Sequence, residues 1–246
     1  MNSNGHIRSI FFDFVGTLAF NDPPRAWHYL KACAKRGIFL NRREVWAAVN
    51  GVWATIDHEE NMAHPEASGS REDYDAFRTD IESQILDALG VEAHKDEIIR
   101  EVLTVHDDPR AYTLFPEVPE TVRRLHDAGY KLCVVSNFSW DLPQLVDALG
   151  IGAYMTSAIT SARVGYRKPH PRMFEAAVQA LDADPLSSLF VGDTYQDDVM
   201  GPTSLGFEAI LVDRRQNKPY EHPSVRFLDD LLDYLHVSGP LVKNVS

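Results

Sequence analysis

Cysteine, positive charge and long apolar runs are all scarce in this sequence. Among 246 residues there are two cysteines, Cys33 and Cys133, too few for the disulfide framework of a small secreted scaffold. Cys133 lies within an apolar run, where a thiol behaves as a small core residue. We therefore expect a protein of a reducing compartment, the cytoplasm.

Basic residues are outnumbered by acidic ones, 24 Lys and Arg against 36 Asp and Glu, which gives a formal net charge of -12. Such a balance argues against a surface that neutralises nucleic-acid phosphates or anionic lipids. No apolar stretch has the length that crosses a bilayer, and residues 1–6 lack the basic and apolar regions of a signal peptide. These absences predict a soluble, unprocessed protein with neither nucleic acid nor membrane as a partner.

Short strand-like and helical segments alternate in the second half of the chain, and one strand-like segment precedes them. Apolar runs rich in β-branched or aromatic residues predict strands at 7–14, 131–135, 188–191 and 209–212. Helical patterns lie between strands at 119–128, 142–149 and 171–181. This alternation predicts an α/β fold with a doubly wound parallel sheet covered by helices on both faces.

Residues 24–110 have a different pattern. Apolar side chains recur there at helical spacing, and a segment with Pro, Gly and Ser at 64–72 predicts a loop between two helices. No strand is predicted in this block. It is therefore interpreted as a helical insertion into the α/β unit.

Aromatic and imidazole side chains are frequent in the same block. Helical spacing favours core packing over ligand stacking for Trp27, Trp46 and Trp53. The histidines are too scattered to suggest a zinc site; they are His28, His58 and His64.

Side chains that can do chemistry stand where the predicted strands end. They are Asp13, then Ser136 with Asn137, then Asp193 with Asp197 and Asp198, and Lys168 precedes a helix. In an open parallel sheet, ligands bind outside the carboxyl ends of the strands. A carboxylate nucleophile, a hydroxyl donor, a cation and a second acidic cluster together predict a phosphoryl-transfer site.

Each of these residues also has an ordinary structural explanation. Asp13 before a Gly-Thr pair suits a turn, and Ser136 suits a helix N-cap. Lys168 suits a solvated surface, and the two acids at 197–198 suit the first turn of a helix. The functional interpretation depends on their occurring together.

Four motifs carry a resemblance to a known family. They are FFDFVGTL at 11–18, VVSN at 134–137, GYRKP at 165–169 and VGDTYQDD at 191–198. In this order the set resembles the haloacid dehalogenase superfamily, over roughly residues 7–235. Three further strings resemble its phosphatase-rich branch, which has a helical cap inserted after the first motif; they are FPEV at 115–118, SNF at 136–138 and KPHP at 168–171. The resemblance implies a Rossmann-like core of residues 1–20 and 112–246 and a helical cap of residues 21–111.

The resemblance also implies roles for the strand-end residues. Asp13 would attack phosphorus and form an aspartyl-phosphate, with Lys168 as the second catalytic residue. A Mg²⁺ ion would be bound by the carboxylates of Asp13 and Asp193 and by the main-chain carbonyl of Val15. The predicted phosphate-binding residues are Thr17, Ser136, Asn137 and Lys168. The predicted supports of Lys168 and of metal-bound water are Asp197 and Asp198. The expected partner is a small phosphorylated metabolite, and the expected state is a monomer or a homodimer.

Val15 departs from the phosphatase pattern. Phosphatases of the family usually have there a second aspartate, which protonates the leaving alcohol and later activates water. Losing such help typically costs on the order of 10²–10⁴-fold in rate. Three alternatives follow: a dehalogenase, which uses a cap arginine and no metal; a phosphonatase, which uses a cap lysine; or a non-catalytic binding or regulatory protein. The candidate cap residues are Arg25, Lys31 and Lys35.

Overall fold

The computed structural model describes residues 6–56, 70–217 and 219–237. Some predictions fall at least partly outside these ranges. The histidines His58 and His64 lie there, as do residues 64–69 of the predicted loop. Residues 71 and 72, which we assigned to the loop, begin a helix instead.

A six-stranded parallel sheet forms the centre of the fold, in the order β5-β4-β1-β6-β7-β8. Its strands are β1 (Ser9–Phe12), β4 (Lys131–Ser136), β5 (Ser157–Thr160), β6 (Ser188–Gly192), β7 (Glu208–Val212) and β8 (Ser224–Val225). The predicted α/β class with a doubly wound parallel sheet is confirmed.

Most of the helices outside the insertion connect these strands in the described part of the chain. They are α5 (Val118–Asp127), α6 (Leu142–Ala148), α7 (Ser161–Val164), α8 (Pro171–Leu181), α9 (Gly201–Thr203) and α10 (Asp230–Tyr234). Residues Tyr195–Met200 form a π-helical turn just before α9. A bilayer-crossing helix is not found among the described residues, because none of their helices is both long and apolar enough. The cytoplasmic location stays a prediction.

Strand β1 is apolar because the sheet is buried on both faces. Ile10 and Phe12 pack into one hydrophobic cluster, whereas Phe11 between them packs into another with Phe190 and Phe207. Side chains of a strand alternate between faces, so one short run supplies both cores. The position of β1 between β4 and β6 brings the residues that follow it to the middle of the sheet edge.

The helical insertion comprises α1 (Ala26–Ala34), α2 (Arg42–Ile56), α3 (Arg71–Ala88) and α4 (Lys95–His106). Its own hydrophobic cluster includes Tyr29, Ile85 and Ile98, all fully buried. No strand occurs in the described residues between 24 and 110. The inserted helical cap is therefore confirmed as a feature of the fold, while the boundaries 1–20, 21–111 and 112–246 stay a prediction.

The two chain segments that join the cap to the sheet form an antiparallel pair that the sequence patterns did not predict. Strand β2 (Ala19–Asn21) pairs with β3 (Tyr112–Leu114). Two edge strands of the main sheet, β5 and β8, were also missed. They are short, and β5 has Ser and Thr at its ends, so neither shows a strong apolar pattern.

The core-packing prediction for the tryptophans is wrong for two of the three. Trp27 is 46% exposed and Trp46 is 64% exposed. Both lie on helices whose buried faces are filled by other residues, such as Tyr29 and Val45. Trp53 is partly buried against the cap cluster.

Candidate active site

Asp13 directly follows the central strand β1. Its main-chain N–H donates to the carbonyl of Val191 at 2.9 Å, which continues the ladder to β6. Its side chain is buried, with the residue 7% exposed. The sheet therefore holds this carboxylate at the carboxyl edge of its middle strand, where parallel sheets bind ligands.

Two donors from other elements contact the same oxygen of Asp13. Ser136, the last residue of β4, donates its hydroxyl to Oδ1 at 3.1 Å, and the Lys168 ammonium lies 2.7 Å from it. These bonds orient the carboxylate and leave Oδ2 as the oxygen that neither group engages. The structure thus brings together three of the predicted site residues.

Lys168 is almost fully buried and bridges two carboxylates. Its Nζ lies 2.7 Å from Asp13 Oδ1 and 2.6 Å from Asp198 Oδ1. Burial alone would lower the pKa of Lys168, but the surrounding carboxylates outweigh burial and raise that pKa above its ordinary value. The lysine is therefore charged at neutral pH and offsets the acidic groups around it.

Asp198 is buried in the π-helical turn after β6. Its Oδ1 accepts from Lys168, and its Oδ2 accepts from the main-chain N–H of Thr194 at 2.9 Å. Burial raises the pKa of Asp198, and Lys168 offsets part of that effect. A Cβ on Gly192 would lie 2.2 Å from the Asp198 Cγ, so the carboxylate needs a glycine there.

Asn137 holds the chain at Lys168. Its Oδ1 accepts from the Lys168 N–H at 2.7 Å, and its Nδ2 donates to the Lys168 carbonyl at 3.0 Å and to Asp197 Oδ2 at 3.2 Å. Both amide hydrogens are therefore used by the protein. Asn137 thus positions Lys168, and its predicted contact with phosphate stays a prediction.

Asp193 and Gly16 are in van der Waals contact. Gly16 has a φ of +98°, and a Cβ there would lie 2.6 Å from the Asp193 Cγ. Only glycine suits both the positive φ and the space. The absence of a side chain at Gly16 thus lets the Asp193 carboxylate pack against the loop that follows Asp13.

The acidic groups can hold a metal ion. One carboxylate oxygen from each of Asp13, Asp193 and Asp198 lies within 4.8 Å of the others. Because both oxygens of Asp198 bind Lys168 and Thr194, we expect the direct ligands to be Asp13 and Asp193. Hard oxygen ligands of this kind fit Mg²⁺. The carbonyl of Val15 as third ligand stays a prediction.

Thr17 is fully buried, and its hydroxyl has no hydrogen-bond partner among the described residues. Its predicted contact with phosphate stays a prediction. Its carbonyl accepts from Arg214 Nη2 at 2.7 Å, while Arg214 Nε donates to the Gly16 carbonyl at 3.2 Å. Arg214 thereby holds the loop after Asp13 through two hydrogen bonds to its main chain.

Arg214 is a residue beside the site that sequence patterns missed. It follows β7, its Nη1 lies 2.6 Å from Glu117 Oε1, and its guanidinium stacks on Phe115 at 3.4 Å from the ring centroid. Phe115 and Glu117 belong to the FPEV string. The string gave no indication of an arginine almost a hundred residues away.

A cavity of about 200 Å³ opens beside Val15 and Asn137, with walls from both the cap and the α/β core. Among the candidate cap residues, Arg25 lines it. Lys31 and Lys35 line a different, larger cavity that α1 and α4 border. No lysine is among the described residues that line the cavity beside Val15.

A model of the haloacid dehalogenase-like hydrolase family matches residues 7–206, which include every predicted site residue. The chain belongs to this hydrolase family. The predicted family and hydrolase class are thereby confirmed.

Curated relatives and solved structures agree with the membership. The hydrolase is 31% identical over 142 residues to the human haloacid dehalogenase-like hydrolase domain-containing protein 3, covering 54% of this chain and 57% of the relative. It is 36% identical over 102 residues to a glyceraldehyde 3-phosphate phosphatase of Methanothermobacter thermautotrophicus, covering 40% of this chain and 44% of that enzyme. The chain thus spans about half the length of the curated relatives it matches.

The fold resembles a magnesium-bound structure of YfnB from Bacillus subtilis, a hydrolase of the same superfamily. The TM-score is 0.76 at 16% identity, and the match covers 94% of this chain and 99% of YfnB. At this identity the likeness shows the fold alone.

Proposed function

We propose that this hydrolase is a Mg²⁺-dependent phosphatase that acts on a small phosphorylated metabolite. The observation that carries the proposal is the arrangement around Asp13, in which a buried ammonium, a hydroxyl and a second carboxylate meet at the end of the central strand. A related phosphatase in the comparisons supports the phosphate class.

In the proposed reaction, the carboxylate of Asp13 attacks phosphorus while the bond to the leaving oxygen breaks. The leaving group takes the electron pair, and an aspartyl-phosphate remains. Water then attacks that intermediate and frees Asp13 and inorganic phosphate. A carboxylate is already ionised at neutral pH, so Asp13 needs no base to become a nucleophile.

The other side chains would position and neutralise charge. Lys168 and Ser136 already contact Asp13, so each is near enough to bind phosphoryl oxygens when a substrate is present. A Mg²⁺ ion held by Asp13 and Asp193 would supply further neutralisation of the phosphoryl group. Asp198 keeps Lys168 in place, and Asn137 fixes its main chain.

The decisive experiment measures phosphate release from para-nitrophenyl phosphate, alkyl phosphates and acyl phosphates, with Mg²⁺ and with chelator. We expect release that depends on Mg²⁺ and is fastest for good leaving groups, because Val15 supplies no proton. Asp13→Asn is expected to abolish it. Full turnover in that variant would exclude Asp13 as the nucleophile.

Dehalogenation is the second candidate, and one observation favours it. Val15 and Arg25 line the same cavity, which is where a dehalogenase would place its cap arginine. Halide release from 2-haloacids, unaffected by chelator, would support it. The carboxylates of Asp13 and Asp193 favour the phosphatase, because together they can hold the metal ion that the dehalogenase reaction does not use.

Phosphonate cleavage needs a cap lysine, and the described cavity lining has none. A non-catalytic role is disfavoured by the retention of Asp13, Lys168 and Asp193. Absence of measurable turnover with every substrate of the panel would support the non-catalytic role.

A further inference from the structure

The cavity beside Val15 is where a substrate's leaving group would lie. Val15 follows Asp13 by two residues, and Asn137 on the same wall holds Lys168. A group attached to phosphorus on Asp13 would extend toward the space that adjoins these residues. The size and charge of the cavity therefore indicate the size and charge of the leaving group that fits it.

Its volume of about 200 Å³ restricts that group to a small one. Ligand pockets for drug-sized molecules begin at ~300 Å³. The leaving group thus has only a few carbon and oxygen atoms.

The cavity walls are basic. Arg25, Arg78 and Arg167 line it, and no aspartate or glutamate is among its described lining residues. Arg25 comes from the start of the cap and Arg78 from α3, while Arg167 immediately precedes Lys168 in the core. Three guanidinium groups from three separate segments converge on one small space.

Carboxylates outside the lining hold two of these arginines. Glu82 is buried and binds Arg25 Nη2 at 2.8 Å, and Asp107 binds Arg78 Nη1 at 2.8 and 2.9 Å. Each contact uses one of three guanidinium nitrogens. An arginine fixed in this way presents its remaining N–H groups in a set direction, which suits recognition of a planar anion.

Trp53 fixes the third arginine relative to the first. Its ring lies 5.0 Å from the guanidinium carbon of Arg25 and 5.1 Å from that of Arg167. Stacking on an indole restrains a guanidinium plane. The cap and the core therefore meet at this tryptophan with one arginine from each.

The same wall contains polar atoms that the protein leaves without partners. Arg25 Nε, Trp53 Nε1 and His106 Nε2 are buried and have no hydrogen-bond partner in the described chain. The first two can only donate. Native proteins satisfy nearly all buried polar groups, so this wall has more hydrogen-bond donors than the described chain supplies acceptors for.

We propose that the hydrolase selects a phosphorylated small carboxylic acid, whose carboxylate binds the arginine-lined cavity while its phosphate lies on Asp13. The inference rests on the proposed phosphatase function and adds the chemical class of its substrate. A carboxylate fits because it is small, planar and accepts from guanidinium groups in pairs.

A matched pair of substrates tests the proposal: 3-phosphoglycerate and glycerol 3-phosphate, which differ by a carboxylate in place of a hydroxymethyl group. We expect kcat/KM to be about ten- to a hundredfold higher for 3-phosphoglycerate, the range for hydrogen bonds to a charged group. Equal kcat/KM for the two esters would overturn the proposal and leave the phosphatase function intact.

Arg167 is the residue to change, because removing Arg25 would leave the buried carboxylate of Glu82 without its guanidinium partner. Arg167→Gln should reduce the ratio of the two kcat/KM values to about twofold or less, and Arg167→Lys should retain part of the preference. The control is Arg172→Gln, an exposed arginine outside the cavity lining, which should keep the full preference. A preference unchanged in Arg167→Gln would contradict the assignment of this cavity.

Binding measured in the Asp13→Asn protein separates this inference from the proposed function, because it requires no turnover. Calorimetric titration should show 3-phosphoglycerate binding about tenfold or more tightly than glycerol 3-phosphate. Failure of turnover combined with this binding preference would refute the phosphatase and retain the acid-selective cavity. Equal binding would refute the cavity assignment.

Discussion

Val15 bears on one of the two requirements of the proposed reaction, which are attack by the nucleophile and protonation of the leaving group. Asp13 can attack without a base, but departure of an alkoxide needs a proton that a valine cannot give. Val15 lines the proposed substrate cavity and is partly exposed, so a carboxylic acid at this position would be expected to face the leaving group. We therefore expect the site to act faster on good leaving groups than on poor ones.

Val15→Asp should raise phosphate release from alkyl phosphates by on the order of 10²-fold, while para-nitrophenyl phosphate gains only a few-fold, because its leaving group needs no proton. Initial rates with both substrates measure the difference. Val15→Asn is the matched control, since the asparagine side chain has the same shape as aspartic acid but no acidic proton. Equal gains on both substrates would show that the change acts on the fold or on the metal site.

Among the elements, the loop after β1 depends on a partner far away in sequence. Arg214 donates to the carbonyls of Gly16 and Thr17 and pairs with Glu117, so one side chain connects three segments. The loop it grips contains Val15 and directly follows Asp13. Loss of this contact is expected to loosen the nucleophile relative to Lys168.

Arg214→Met should lower the free energy of unfolding by about 2–4 kcal/mol, since it removes charged hydrogen bonds and leaves Glu117 partly buried without its cation. Turnover should fall on the order of 10²-fold, as for ångström-scale misplacement of a reacting group. Urea denaturation and kcat measure the two effects. Arg215→Met, at the exposed neighbouring position, should alter neither. A large loss of stability with normal kcat would assign Arg214 a purely structural role.

The strand-end carboxylates could be predicted from the sequence because local patterns fix them: an apolar strand ends, and the next polar residue lies at the sheet edge. Asp13, Ser136 and Asp198 indeed meet around Lys168. Contacts set by long-range packing gave no such pattern.

Arg214 on the β1 loop and Arg25 beside Trp53 are examples of those long-range contacts, since each pairs residues far apart in the chain. The exposed Trp27 and Trp46 show that a local pattern can also mislead. Helical spacing identifies a face of a helix but does not say which face the fold covers.

For the whole molecule, the cap holds a buried polar cluster above the cavity, and its charge state connects stability with pH. His106 is 6% exposed at the end of α4, with Arg25, Arg78 and His28 around it. Burial and these neighbours lower the pKa of His106 well below its ordinary value. Glu82 lies 3.7 Å away, too far for a hydrogen bond, and Arg25 neutralises it.

Because the folded pKa of His106 is depressed, both folded and unfolded forms are neutral above pH ~6.5, and stability there is independent of this group. As the pH falls below ~6.5, only the unfolded chain takes up the proton, so the free energy of unfolding should decrease by up to ~1.4 kcal/mol per pH unit. His106→Gln removes its part of this slope, while the part due to His28, whose pKa burial also lowers, remains. Urea midpoints between pH 8 and 5.5 measure it, above the range where ordinary carboxylates titrate. His126→Gln, at an exposed histidine on α5, should retain the wild-type slope. An identical slope in His106→Gln would show that this histidine takes up its proton in the folded cap, and the neutral buried cluster would then be wrong.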